Sequence, residues 1–425
     1  MPPPPRVVIK PRRARPFFAR HPWVLAPSIA QVEGNPEPGA EVEVFSHEGQ
    51  RIARGLINPR SGIRVRLYRW DGGPLDDAFW SARVDAALKL RDDLPGLLGP
   101  ETPRRLVASE ADGLSGLVVD RYDCWLVVQF TSLALHTHRE PLLARLVDRT
   151  GASGVILRTE KGMPEQEGFV LPDGPISGTP PEGPIAIVEN DIRYEVDLGT
   201  GQKTGFYIDQ RDNRRAVAAY ARGRRVLDLC CYTGAFALNA LKHGGAASAL
   251  GIDSSAGAIE IARRNAVANQ LGAARFEAAD AFDVLAKLQA AGDRFGLVIC
   301  DPPKFARHPR SVPDAIKGYL RLNRAALGVL EPDGILATFS CTGLVDRAMF
   351  ADVLAQVAEH SGRPIQFLER LGQPPDHPVS ASCPEGEYLN GFIARVGPAE
   401  GATPAAPVNL DGGTTAQGNG SGQSV

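Results

Sequence analysis

The chain has 425 residues, with 47 lysines and arginines against 49 aspartates and glutamates and a formal net charge of −2. With 43% hydrophobic and 23% charged residues it has the make-up of an ordinary globular protein of two to four domains. Its apolar runs fall short of the ~20 residues of a membrane span, and Met1-Pro-Pro-Pro-Pro-Arg6 is no secretory leader. Six cysteines, two of them adjacent, are too few and too unevenly spaced for a disulfide framework or a zinc cluster. The expectations are a reducing cytoplasm, no membrane partner and no metal.

The near-zero total conceals a division. Residues 1–70 hold twelve basic side chains (Arg6, Lys10, Arg12, Arg13, Arg15, Arg20, Arg51, Arg54, Arg60, Arg64, Arg66 and Arg69) and five acidic ones, a balance of +7 that leaves −9 for the other 355 residues. A basic module joined to an acidic one suits a polyanion. Phe17, Phe18, Trp23, Tyr68 and Trp70 interleave with the arginines, as stacking surface for RNA bases or as the core of a small barrel. Strands are predicted at 7–10, 40–46, 50–57 and 62–69, and Glu41-Val42-Glu43-Val44 alternates as a half-buried strand does.

A helix is predicted over 80–93. A smaller α+β unit follows, with strands at 105–109, 116–122, 124–131 and 154–159 and a helix at 140–149. Residues 171–184, rich in Pro and Gly, read as a loop or boundary. A hairpin across Glu189-Asn190-Asp191 joins 185–188 to 192–196. Domain limits are therefore expected at 1–75, 76–184 and 185–396, with a disordered Gly-, Ser- and Thr-rich tail over 397–425.

From Arg224 strands and helices alternate. Strands are predicted at 226–230, 249–252, 275–279, 297–300, 335–339, 365–370 and 392–396, with helices starting near Gly234, Ser255, Ala281, Lys317 and Asp346. That pattern means a doubly wound, mostly parallel α/β sheet of Rossmann-like type. Ligands bind such sheets beyond the carboxyl ends of the strands. Asp228 and Gly234 flank the first strand-to-helix turn, Asp253 ends the second strand where ribose hydroxyls are held, and Asp280 ends the third, beside an adenine. The first turn has Cys230, Cys231 and Tyr232 where a dinucleotide fingerprint has glycines, and it has no phosphate-binding lysine. A ligand with adenosine and no phosphate, S-adenosylmethionine, fits better.

The fourth strand runs into Asp301-Pro302-Pro303-Lys304-Phe305, a stiff loop able to present a carboxylate and an aromatic ring to a flat, extruded base. The fifth runs into Ser340-Cys341-Thr342, which brings a thiol to the same edge. That combination suits carbon methylation of a pyrimidine. C5 of cytosine is a poor nucleophile until a thiolate adds at C6, and Asp301 can hold the ring at N3.

Over residues 1–396 the chain resembles the bacterial 23S ribosomal RNA large-subunit cytosine-C5 methyltransferases, a class I S-adenosylmethionine-dependent family. The stretches that carry the resemblance are Gly201–Arg214, Asp301–Phe305, Phe339–Gly343 and Asp376–Val379. It implies an N-terminal PUA domain, a central α+β domain and a C-terminal Rossmann-like methyltransferase domain. It implies Cys341 as nucleophile and Asp301 in the substrate loop. It also makes Asp228, Gly234, Asp253 and Asp280 cofactor-contacting, with Gln202, Lys203, Gly205 and Phe206 covering the cofactor. Large-subunit rRNA is the implied partner, and a homodimer stays open. Related enzymes with the same loop methylate guanine, and some relatives carry Asn where Cys341 stands. Transfer to a guanine or adenine nitrogen is therefore the alternative chemistry, and a non-catalytic RNA-binding or ribosome-assembly factor the alternative class. His377 is either a proton carrier or part of a structural turn. Cys124, Cys230, Cys231 and Cys300 read as packing residues, and Lys304, Arg307 and Arg310 as phosphate contacts or solvated charge.

Overall fold

The computed structural model describes residues 4–95, 102–159, 167–169, 172–199, 205–306 and 308–399. The tail from residue 400, together with Gln202, Lys203 and Arg307, lies outside the described residues.

The N-terminal six-stranded sheet runs, edge to edge, Trp23–Leu25, Ile63–Arg69, Arg51–Ile57, Glu41–Phe45, Arg6–Ile9 and Ile29–Val32. In Glu41–Phe45 the pleat buries Val42 and Val44 and leaves the two glutamates half-exposed, as the alternation predicts. The strands Trp23–Leu25 and Ile29–Val32 are absent from the sequence reading, because three or four residues cannot establish a period. A helix over Asp77–Asp93, capped by the Asp76 side chain accepting from the Phe79 N–H at 2.9 Å, follows. Its Trp80, Val84 and Leu88 pack into one core with Leu56 and Tyr68 of the first sheet and Leu117, Val119 and Leu126 of the second.

That second, five-stranded sheet is ordered Gly174–Ser177, Gly154–Leu157, Trp125–Phe130, Leu117–Tyr122 and Arg104–Ala108. Its edge strand Gly174–Ser177 falls where the sequence reading has only a loop. A proline-bearing strand is tolerated at an edge, where Pro175 need donate no ladder hydrogen bond. The hairpin Ile185–Glu189/Ile192–Val196 turns through Asn190 and Asp191, both left-handed at φ 51° and 58°, as a tight two-residue turn requires.

Seven strands form the C-terminal sheet: β1 (Arg225–Leu229), β2 (Ser248–Asp253), β3 (Ala274–Ala278), β4 (Phe295–Cys300), β5 (Leu330–Ser340), β6 (Ile365–Leu371) and β7 (Asn390–Val396). Their spatial order is β3-β2-β1-β4-β5-β7-β6. The first five are parallel, and β7 enters antiparallel between β5 and β6. Helices Ala235–Lys242, Ala256–Ala268, Ala281–Ala291, Val312–Leu327 and Arg347–Ser361 cover the sheet, with a separate core on each face. The fourth helix begins at Val312, upstream of the expected Lys317. Pro313 sits in its first turn, where a missing N–H costs nothing. The strand order reverses between β1 and β4, so the loops after β1, β2, β4 and β5 converge at one edge. Among the described residues no helix is long and apolar enough to cross a membrane.

Candidate active site

The turn after β1 alternates in handedness. Cys230, Tyr232 and Gly234 all have positive φ, at 60°, 49° and 81°. Glycine is the natural occupant of such positions, and each non-glycine there costs about 1–2 kcal/mol. The turn is held by Cys231 N–H donating to the Ile252 carbonyl (3.0 Å), Gly234 N–H to the Cys231 carbonyl (2.8 Å) and Tyr232 N–H to Asp253 Oδ2 (2.9 Å). At Gly234 the close approach is to Phe276, whose ring a Cβ would strike at 2.6 Å.

Four carboxylates face this turn. Asp228 is fully buried: its Oδ2 accepts the Ala237 N–H at 3.0 Å, and its Oδ1 is buried without a hydrogen-bond partner. Burial, reinforced by the charges of Asp301 and Asp253, pushes its carboxyl up to about 8. Asp253 spends its second oxygen on the Ser255 N–H at 2.9 Å. β3 ends at Ala278, short of Asp280, which instead caps the next helix by accepting from Phe282 and Asp283 N–H at 2.8 and 3.2 Å. Burial, then Asp253, Asp301, Asp228 and Asp280, push the Cys230 thiol up to about 12. An orphaned buried carboxylate oxygen in this negative field fits S-adenosylmethionine, whose sulfonium and ammonium are both cationic. Gly205 holds φ 124° against Val196, and its carbonyl accepts the Tyr232 hydroxyl at 3.1 Å. The Phe206 side chain lies in the core, 1% exposed, under the Arg214 guanidinium, so only the backbone of this pair is placed to line a ligand site.

Beyond β4, Asp301 Oδ2 accepts from Gln210 Nε2 at 3.0 Å, and Gln210 Oε1 accepts from Asn213 Nδ2 at 2.6 Å. The sequence reading assigned neither amide a role. Their signals are that both lie in the Gly201–Arg214 stretch and that two neutral amides occur in a helix-forming segment whose inner face is buried. Cys341 is half-buried, and its thiol donates to the Pro302 carbonyl at 3.4 Å. The predicted nucleophile and the predicted substrate loop therefore touch. Phe305 does not stand free for a base. Its ring packs on Tyr319, 4.7 Å between centroids. Lys304 and Arg310 are exposed.

His377 belongs to a structural turn: its N–H donates to the Pro374 carbonyl at 2.8 Å, and its ring is buried beside Asp376. Burial and the neighbouring Arg105 lower its pKa, which keeps the ring neutral. Asp376 takes both terminal nitrogens of Arg211 (2.7 and 3.3 Å) and the Arg105 N–H (3.0 Å), and its carbonyl accepts from Arg91 (3.0 Å). The Asp-His motif is thus a clasp between the central sheet and the C-terminal one. Among the described residues one cluster has metal-ligand chemistry, His21, Cys383 and Glu385. Nδ1 of His21 accepts the Trp23 N–H (3.2 Å), which leaves the ring hydrogen on Nε2 for Glu385 (3.2 Å). These groups form a polar contact between the first sheet and the loop before β7.

On the N-terminal sheet the twelve basic residues divide. Arg51 and Arg54 pair with Glu41 and Glu43, Arg66 with Glu110, and Arg69 with Asp71. Lys10, Arg12, Arg13, Arg15 and Arg20 are exposed and have no ion pair among the described residues. Phe17 and Tyr68 are core, Trp23 and Trp70 are half-buried with their indole N–H groups bonded, and Phe18 is exposed. The aromatics other than Phe18 serve packing within this sheet and against the central unit.

Comparison with known proteins agrees with this architecture. Residues 173–386 match the S-adenosylmethionine-dependent methyltransferase family and residues 7–70 the PUA-like domain. The chain is 40% identical over 388 residues to ribosomal RNA large subunit methyltransferase I of Photobacterium profundum, covering 90% of this chain and 97% of that one. It is 38% identical over 395 residues to the protein of the same name from Salmonella arizonae, covering 92% and 98%. A crystal structure of SMU.776 complexed with SAH shares the fold with a TM-score of 0.80 at 19% identity, covering 92% of this chain and 99% of that one. The chain belongs to the S-adenosylmethionine-dependent methyltransferases of the ribosomal RNA large subunit methyltransferase I family, with a PUA-like domain at its N-terminal side.

Proposed function

We propose that the chain methylates C5 of a cytosine in large-subunit ribosomal RNA, with Cys341 as the attacking group. The observation that carries this reading is the contact between the Cys341 thiol and the Pro302 carbonyl, which joins a nucleophile to the Asp-Pro-Pro loop at neighbouring strand ends. The rRNA substrate rests on the names of the relatives. We read residues 1–75 as the RNA-holding unit, 76–184 as the central unit and 185–396 as the methyltransferase unit.

S-adenosylmethionine, when bound, supplies an electrophilic methyl group. Asp228, Gly234, Asp253 and Asp280 would hold it, with the segment of Gln202, Lys203, Gly205 and Phe206 alongside. Cys341 releases its proton to solvent and its sulfur adds to C6, while N3 takes up a proton shared with the Asp301 carboxyl, which leaves C5 a carbon nucleophile. Asp301 holds the ring through a proton shared with N3, and Gln210, oriented by Asn213, keeps that carboxyl group in place. Once C5 carries the methyl group, its proton passes to solvent, the electron pair left behind expels the thiolate as the C6–S bond breaks, and N3 gives its proton back.

RNA containing 5-fluorocytosine tests the reading, since fluorine cannot leave as a proton and the adduct should accumulate. The expected outcome is a protein–RNA band that survives denaturation and is absent in Cys341→Ala, whose turnover on normal RNA falls at least ~10³-fold. Full activity of Cys341→Ala with a nitrogen-methylated product would instead favour the guanine or adenine alternative.

A further inference from the structure

We propose that Tyr319 is the positioning residue that aims Cys341, by pinning the two hydroxyl side chains on either side of it. Ser340 donates to the Tyr319 hydroxyl at 3.0 Å, and that hydroxyl meets Thr342 Oγ1 at 2.8 Å. A phenol has one hydrogen. With Ser340 donating into its oxygen, that hydrogen goes to Thr342. The Thr342 N–H then closes a ring on Ser340 Oγ at 3.4 Å. Tyr319, Ser340 and Thr342 are all at most 1% exposed, so no water competes for these groups. With residues 340 and 342 tied to one side, the thiol of residue 341 is left to the other, where it reaches Pro302.

The ring of Tyr319 is fixed independently of its hydroxyl. It packs on Phe305, 4.7 Å between centroids, and edge-on against Phe350 at 5.3 Å. Gly318 makes room for Phe305, since a Cβ there would lie 3.1 Å from its ring. Phe305 closes the Asp301–Phe305 loop. One helix residue therefore grips both loops, the nucleophile's by hydrogen bonds and the substrate loop's by ring contact. Burial pushes the phenol up to about 12, so the hydrogen stays in place through the neutral range. A nucleophile carried just past a strand end needs such support, because a displacement of about 1 Å can cost on the order of 10²-fold in rate.

This inference rests on the Cys341 reading above, and its test separates the two. Tyr319→Phe keeps both ring contacts and removes only the hydroxyl. The expected result is adduct formation with 5-fluorocytosine RNA slowed 10- to 100-fold and kcat reduced alike, with KM for RNA and the affinity for S-adenosylmethionine within twofold. Ser340→Ala/Thr342→Val should slow the same step, and adding Tyr319→Phe to that pair should slow it no further. Adduct formation by Tyr319→Phe at the wild-type rate, or additive losses in the triple variant, would overturn the inference while leaving Cys341 as nucleophile. A wild-type protein that methylates RNA but forms no adduct would overturn both.

Discussion

In the N-terminal unit, Arg51 and Arg54 lie in partly exposed ion pairs and Arg12, Arg13 and Arg15 stand at the surface, with Arg66, buried against Glu110, the exception. At the carboxyl ends of β1 and β2 the carboxylates are turned inward: Asp228 is fully buried with one oxygen unpartnered, and Asp253 is turned onto backbone N–H groups. Exposed charge acts by number, at long range, and is screened by salt. A buried carboxyl acts by position, and ionising it carries a desolvation penalty that something must offset. Asp280, exposed but committed to a helix cap, belongs to neither extreme.

The largest expected effect comes from removing a buried partner. Arg214→Ala leaves Glu189, fully buried and now unpaired, and should destabilise the fold by about 3–5 kcal/mol in urea unfolding. Arg15→Ala should change stability by less than about 0.5 kcal/mol. Equal losses would break the comparison.

Salt dependence should sort the arginines the other way. Replacing Arg12, Arg13 and Arg15 by alanine should lower the slope of log affinity against log salt for rRNA fragments by about 2 to 3, while Arg54→Ala leaves it unchanged. An unaltered slope in the triple variant would remove that arm from the RNA contact.

The last effect is one of pH. The Asp228 carboxyl, up at about 8 in the fold against an ordinary 3.8, keeps a proton that the unfolded chain releases. Between those values folding takes up a proton, so this group's contribution to ligand-free stability falls as pH rises from about 4 to about 8. Asp228→Asn cannot titrate, so its stability relative to wild type should be higher at pH 8 than at pH 5 in paired thermal melts. The opposite trend would mean that Asp228 is ionised and compensated in the free protein.

The placement of many candidate site residues is legible along the chain because they sit at strand ends, and strand ends follow from local pattern. Asp228, Asp253, Asp301 and Cys341 lie within one residue of the ends of β1, β2, β4 and β5. The same logic puts Asp280 at a strand end, whereas it is a helix cap, because β3 stops at Ala278. Phe206 looked like a cofactor lid, yet packing between Tyr194 and Arg214 claimed its ring. Gln210, Asn213 and Tyr319 went unassigned, since an amide or a phenol on a helix has no periodic signature that distinguishes a site contact from packing.

Local pattern suffices for the alternation of strands and helices from Arg224 onward, the basic N-terminal segment and the residue types available at the sheet's edge, because these depend on neighbours within a few positions. Tertiary structure decided the rest. It chose which arginines are already paired, turned the Asp376-His377 motif into an interdomain clasp, set β7 antiparallel, and brought the Cys341 thiol to Pro302 under the grip of Tyr319. Those outcomes join residues tens to hundreds of positions apart, and burial with hydrogen-bond geometry, rather than local propensity, selects among them.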